Sequence, residues 1–168
     1  MNNITINANH IIYIYFTEFI DKKTYIKILE TVLSVHDRNY TPCLKKYKVV
    51  VFINCKRAKN DYFYQVYNLL STIKDNLYTI AVGDIFQEMT NIFFLADKNR
   101  RYRRYCFTNC FFEFHIQDIK DEKISKELKK IGLFKEHYSL YPNDSRKYLE
   151  QLGIQVIDNM LPPELFFN

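Results

Sequence analysis

An α/β domain built from β-α-β units is the fold class that this sequence predicts, and three observations carry the prediction. Short runs of β-branched and aromatic residues have the composition of buried strands. Between them lie longer stretches whose apolar residues recur at helical spacing. The connections are short, so strands alternating with helices argue for parallel crossovers.

The first strand is Ile11 to Phe16, Ile-Ile-Tyr-Ile-Tyr-Phe. Asp21 can cap a helix running to about Val35, with Tyr25, Ile28, Leu29, Val32 and Leu33 as its buried face. A polar linker from His36 to Lys46, containing Pro42, leads to a second strand from Lys48 to Ile53. Asp61 starts a second helix with Tyr62, Val66, Leu69, Leu70 and Ile73 on one face. Leu77 to Val82 is the third strand, stopped by Gly83. A third helix spans about Ile85 to Ala96, apolar at Ile85, Met89, Ile92, Phe93 and Ala96. Tyr105 to Phe107 and Phe111 to Phe114 read as short strands, and Asp121 to Phe134 as a charged amphipathic helix. Ser145 caps a last helix ended by Gly153, and Ile154 to Ile157 is a final strand.

Composition narrows the classes. At 168 residues, 48% hydrophobic and 17% aromatic, the chain is one domain with a real core and is not disordered. The formal charge of +5 is modest and interspersed with acids. Its densest basic run, Lys98 to Tyr105, interleaves arginines with tyrosines and could track a nucleic-acid backbone. A single run is weaker support for that than for a solvated loop entering a strand, so nucleic acid is not the expected partner. Cys43, Cys55, Cys106 and Cys110 lack the spacing of a zinc knuckle and read as reduced, packed thiols. No stretch is long and apolar enough to span a bilayer, and no membrane partner is expected. Met1-Asn2-Asn3 carries no signal or transit pattern, so a targeting segment was removed or never existed.

Four patches, in order along nearly the whole chain, resemble the proteolytic subunit of the Clp protease, a member of the crotonase-like spiral fold. His10 to Ile14 followed by the Asp21 helix resembles the family's opening strand and helix. Val49 to Asn54 resembles its strand ending in Asn-Ser-Pro-Gly-Gly, and Tyr78 to Gly83 the strand leading to the nucleophile helix. Ser145, Leu149 and Gly153 match the late Ser-x-x-x-Ala-x-x-x-Gly helix, and Val156-Ile157-Asp158 its closing strand. The resemblance implies one domain in three parts: a head core over residues 1–117, a handle shortened to residues 118–140, and residues 141–168 completing the head. The handle is either stunted or partly outside the sequence.

The resemblance also implies where chemistry would sit. In the family a serine at the start of the third helix attacks the peptide carbonyl, a histidine takes its proton and an aspartate orients the histidine. The serine position falls on Gln87 or Glu88, and no serine occurs between Ser71 and Ser125. His115 matches the histidine, and Tyr141 occupies the aspartate's place, with Asp144 nearby in sequence. The oxyanion glycines correspond to Arg57 and Ala58, and Arg57 resists the backbone geometry that glycine permits. Cys55 as a substitute nucleophile is outweighed by its reading as a small buried residue at a strand end. Glu88 with His115 lacks a third ligand, so neither metal nor cofactor is expected.

The expectation is therefore a catalytically dead Clp-type paralogue of the kind found in plastids and cyanobacteria. It would be a structural member of a homo- or hetero-heptameric ring with active subunits, with an ATP-driven unfoldase as a further partner. A plastid-type organelle (apicoplast or chloroplast stroma), or otherwise the cytoplasm, is the expected compartment. The alternatives are a crotonase-like acyl-CoA enzyme and, behind it, a nucleic-acid-binding domain.

Overall fold

The computed structural model describes residues 2–7, 9–18, 20–42, 44–55, 62–86, 88–96, 103–115, 118–130 and 137–158. The elements run β1 (Asn3–Ile6), β2 (Ile11–Phe16), α1 (Lys22–Tyr40), β3 (Lys48–Cys55), α2 (Phe63–Ser71), β4 (Leu77–Phe86), α3 (Met89–Phe94), β5 (Arg104–Phe107), β6 (Phe111–His115), α4 (Glu122–Lys130), β7 (His137–Leu140), α5 (Pro142–Gln151) and β8 (Ile154–Ile157). The main sheet has the order β1-β2-β3-β4-β5-β8. All its neighbouring pairs are parallel except β1 against β2.

β3 is buried along almost its whole length, which is why it reads as an unbroken apolar run rather than an alternating one. On one face of the sheet Val49, Val51 and Ile53 join Phe16, Phe63, Phe93 and the buried stripes of α1 and α2 in the main core. On the other face Ile11, Val50, Phe52, Tyr78, Ile80 and Tyr105 form a smaller cluster.

β4 departs most from the sequence reading. It does not stop at Gly83 but continues to Phe86. Its first part pairs with β3 and β5, and Asp84–Phe86 then pairs with Phe111–Glu113 of β6. The bend is a bulge: two steps along β3, from Ile53 to Cys55, correspond to four along β4, from Ala81 to Ile85. Gly83 is needed there because a Cβ would collide with the Asn54 side chain, whose Oδ1 accepts a hydrogen bond from the Asp84 N–H at 3.2 Å. The third helix is correspondingly short. Ile85 belongs to the ladder rather than to the helix, although Ile85, Met89, Ile92, Phe93 and Ala96 are all buried as expected.

Other boundaries shift for identifiable reasons. Asp21 caps α1, its Oδ1 accepting from the Thr24 N–H at 2.7 Å. The helix runs on to Tyr40 rather than to Val35, so the polar linker is half its expected length. It ends at Thr41, whose extended backbone is what a following proline demands. Leu33 is 56% exposed, because the buried stripe follows Thr24, Ile28, Thr31, Val32 and Val35. α5 begins at Pro142 with Tyr141 as its N-cap, so Ser145 is a buried residue within the helix and not its cap. Gly153, at φ 70°, ends it as expected. The strands β1 and β7 are unexpected; each has four residues and pairs at an edge, β7 antiparallel to β6. The part of the expected Asp121 helix that extends past Lys130, and its Phe134 end, lie outside the described residues.

Candidate functional site

The C-terminal ends of β4 and β6 lie side by side through the Phe86–Glu113 pair, and α3 starts three residues after β4 ends. Glu88 sits at the N-cap of α3 with a helical backbone, and its side chain makes no capping hydrogen bond. It lines an open cleft of about 440 Å³ with Tyr64, Asn91, Asp118 and Lys120. Partial burial and the neighbouring Asp118 charge hold the Glu88 carboxyl above its ordinary range, with Lys120 pulling the other way.

Asn91 shapes this cleft and was not singled out in the sequence. It is 3% exposed, and its side chain bonds at both ends. Nδ2 donates to the Asp118 carbonyl at 2.9 Å, and Oδ1 accepts from the Lys120 N–H at 2.7 Å. The segment after β6 is thereby stapled to α3. Lys120 then reaches over the Tyr64 ring, with Nζ 4.2 Å from the centroid. An amide within a mostly apolar helix was the available signal, since a buried amide must find partners.

No hydroxyl in the described first turn of α3 faces the cleft. Met89 and Thr90 are fully buried, and the Thr90 Oγ1 has no hydrogen-bond partner among the described residues. Gln87, the other serine-position candidate, lies outside the described residues, as do Arg57 and Ala58 at the oxyanion positions.

His115 is the last residue of β6 and is half-buried, on the opposite face from Phe112 and Phe114. It is not among the described residues that line the Glu88 cleft. Tyr141 packs its ring on Phe111, 4.7 Å between centroids, and Phe111 packs on Phe86 at 5.6 Å. Phe111 and His115 are four residues apart on one strand face, about 13 Å along the strand. The residue at the aspartate's place is thus a phenol in an aromatic stack at the far end of β6. Asp144 lies in the first turn of α5, where its charge suits the helix N-terminus.

Cys55 is 1% exposed and donates its thiol to the Glu18 carbonyl at 3.5 Å, a packed strand end. Cys110 donates to the Ala81 carbonyl at 2.9 Å, and burial pushes its thiol up to about 12. Burial pushes the Cys106 thiol up as well. Cys43 lies outside the described residues. The basic run is not a solvated loop at its C-terminal end. Arg104 is 2% exposed and donates to the carbonyls of Ala96, Leu152 and Phe94 at 2.7, 2.9 and 2.9 Å, and Arg103 lies over the Tyr78 ring. Among the described residues no group of three or more His, Cys, Asp or Glu is arranged to hold a metal ion, and no helix is long and apolar enough to cross a membrane.

No family model matches the sequence, and no curated protein matches it significantly. Solved structures do match the fold. The ClpP protease catalytic domain from Plasmodium falciparum superposes with a TM-score of 0.59 at 19% identity, covering 91% of this chain and 87% of that one. An enoyl-CoA hydratase/isomerase from Mycobacterium abscessus gives 0.59 at 13% identity, covering 95% and 71%. A third structure, described only as an enzyme, gives 0.60 at 13% identity, covering 88% and 95%. The class of protein that the architecture defines is therefore the Clp-protease and crotonase-like α/β fold. At these identities the likeness is one of fold alone.

Proposed function

We propose that this chain is a non-catalytic subunit of a Clp-type protease ring. The observation that carries the reading is the start of α3, where a Clp-type nucleophile would stand. Glu88 holds the N-cap there, and neither Met89 nor Thr90 is exposed. The aromatic stack at Tyr141 supports it, since that side chain offers His115 no carboxylate. In this reading the ring is homo- or hetero-heptameric with active subunits, an unfoldase docks on it, and the protein works in a plastid-type organelle.

Two measurements test it. The pure protein is expected to leave a small fluorogenic peptide uncleaved; turnover that persists in the Gln87→Ala, Glu88→Ala double variant would reveal another nucleophile. Native mass, taken with and without an active Clp subunit, is expected to reach that of a heptamer in at least one condition. A monomer in both would overturn the ring.

A crotonase-like acyl-CoA enzyme is the second reading, and Glu88 is what favours it. A carboxyl held above its ordinary range in a cleft is placed to move a proton. An acyl-CoA that raises the melting temperature of wild type but not of Glu88→Ala would select this reading over the first.

A further inference from the structure

The long helix α1 carries a second apolar stripe besides the one it buries. The buried side follows Thr24, Ile28, Thr31, Val32 and Val35. Ile26, Leu29, Leu33, His36 and Tyr40 recur at alternating steps of three and four residues, the a and d spacing of a coiled-coil seam. Helical geometry sets the two stripes about 140° apart around the helix. Ile26, Leu33 and Tyr40 are 42%, 56% and 81% exposed, and Leu29 and His36 are half-buried. The C-terminal end of this seam is held in place. His36 stacks on Tyr40 with ring centroids 6.0 Å apart, and its Nε2 lies 2.9 Å from Thr72 Oγ1 at the C-cap of α2.

Apolar residues scattered singly on a surface need no partner, but two features go beyond that. The first is the period, which is kept along most of a helix of 19 residues. The second is the order of the charges beside the seam. Lys22, Lys23 and Lys27 lie toward its N-terminal end, Glu30 and Asp37 toward its C-terminal end, and all five are exposed. A helix dipole favours the reverse, with acids in the first turn and bases in the last. The first turn of α1 holds no acid. Arg38, the base in the last turn, is directed to His10 Nε2 at 3.1 Å and to the Lys45 carbonyl at 2.8 Å. Within one helix this order of charges costs stability. Against a reversed copy of the same helix it is complementary.

We propose that α1 is a self-docking surface on which two copies of this chain pair, helix against helix, in antiparallel orientation. The seam then sets Ile26 against His36 of the second copy and Leu29 against Leu33 of the second copy. Lys23 comes to lie beside Asp37 of the second copy, and the twofold axis makes that contact twice. The two Glu30 carboxylates approach one another near the axis, with Lys27 one turn away on the same flank. A parallel pair would bring lysines to lysines at one end and Asp37 to Asp37 at the other, so charge selects the antiparallel pair. A single helix makes a small interface, so the expected affinity is on the order of micromolar. The pairing is separate from the Glu88 cleft, and it neither requires nor produces the sevenfold ring.

Sedimentation of the pure wild-type chain over a series from about 1 to 300 μM tests the proposal. Its mass is expected to double with concentration. Doubling is read on whatever unit is present when dilute, one copy or a ring, so loss of pairing and loss of the ring are distinguishable. Leu33→Glu, at an exposed position, is expected to weaken pairing by about tenfold or more. Lys23→Glu and Asp37→Lys, each alone, set like charges at both ends of the seam and are expected to weaken it by about fivefold. An equimolar mixture of those two variants restores both contacts and is expected to pair as well as wild type. The melting temperatures of all three variants when dilute are expected to hold, which separates lost pairing from lost fold. A wild type that never doubles, as when the seam takes only a helix of another protein, would overturn the proposal. So would equal pairing in Leu33→Glu, or a mixture that pairs no better than either charge variant alone.

Discussion

Arg104 carries a full positive charge into a site that is 2% exposed, and the carbonyls of Phe94, Ala96 and Leu152 receive it. Those carbonyls lie at the C-terminal ends of α3 and α5, where the helix dipoles are negative. Arg104→Met should therefore cost about 3 kcal/mol or more in urea unfolding, through carbonyls left buried without donors. Arg104→Lys should recover only part of it, since an ammonium cannot span all three acceptors. Gly83 is the second exacting position: Gly83→Ala should cost about 1–3 kcal/mol, and the loss should shrink on an Asn54→Ala background, as a double-mutant cycle will show. For Glu88 the sign follows from its raised carboxyl. The folded state holds that proton more tightly than the unfolded chain, so its contribution to stability falls as pH rises from about 4.5 through the folded value. Glu88→Gln should flatten the melting-temperature profile in that window and leave it unchanged below.

At the scale of elements, local signals decided how much could be read. Asp21 announced α1 because an N-cap is a short-range device, whereas the end expected near Val35 falls short of Tyr40 because the restraint that Pro42 places on Thr41 was not used. The Asp21 carboxyl is held below its ordinary range chiefly by the Thr24 hydrogen bonds. Its stabilisation is therefore present above pH 3.8 and lost as pH falls through the lowered folded value. Asp21→Ala should lower the melting temperature at pH 7, and the gap to wild type should close in acid. The course of β4 past Gly83 was not legible. A glycine before apolar residues looks like a strand end, and only the distant partners Asn54 and β6 turn it into a bend. β1 and β7 were hidden for a related reason: four residues carry too little periodicity, and their pairing with β2 and β6 is a tertiary fact. Of the residues named from their order in the chain, Glu88 lies on the cleft at the start of α3, whereas His115, at the end of β6, is not among the described residues that line it. Asn91 was not legible, because it joins residues far apart in sequence.

At the scale of the molecule, β4 is the strand on which both parts of the sheet depend, pairing with β3, β5 and β6. Its opening requires all three ladders to part. Amide hydrogen exchange should find Thr79, Ile80 and Ala81 exchanging only through global unfolding, while Asn3–Ile6 at the edge exchanges by local fraying. A β4 that exchanges as fast as β1 would contradict this view of the sheet.

The Arg104–Leu152 bond has a consequence in time as well as in space. Synthesis runs from the N-terminus, so Arg104 leaves the ribosome long before Leu152 and β8 exist to receive it. Until they arrive, the guanidinium lacks one of its three carbonyls and β5 has an open edge. A nascent chain halted ahead of Leu152 should be cleaved readily by protease, and one released after Ile157 should resist. The β5 side of the sheet therefore closes late, only once β8 has been made.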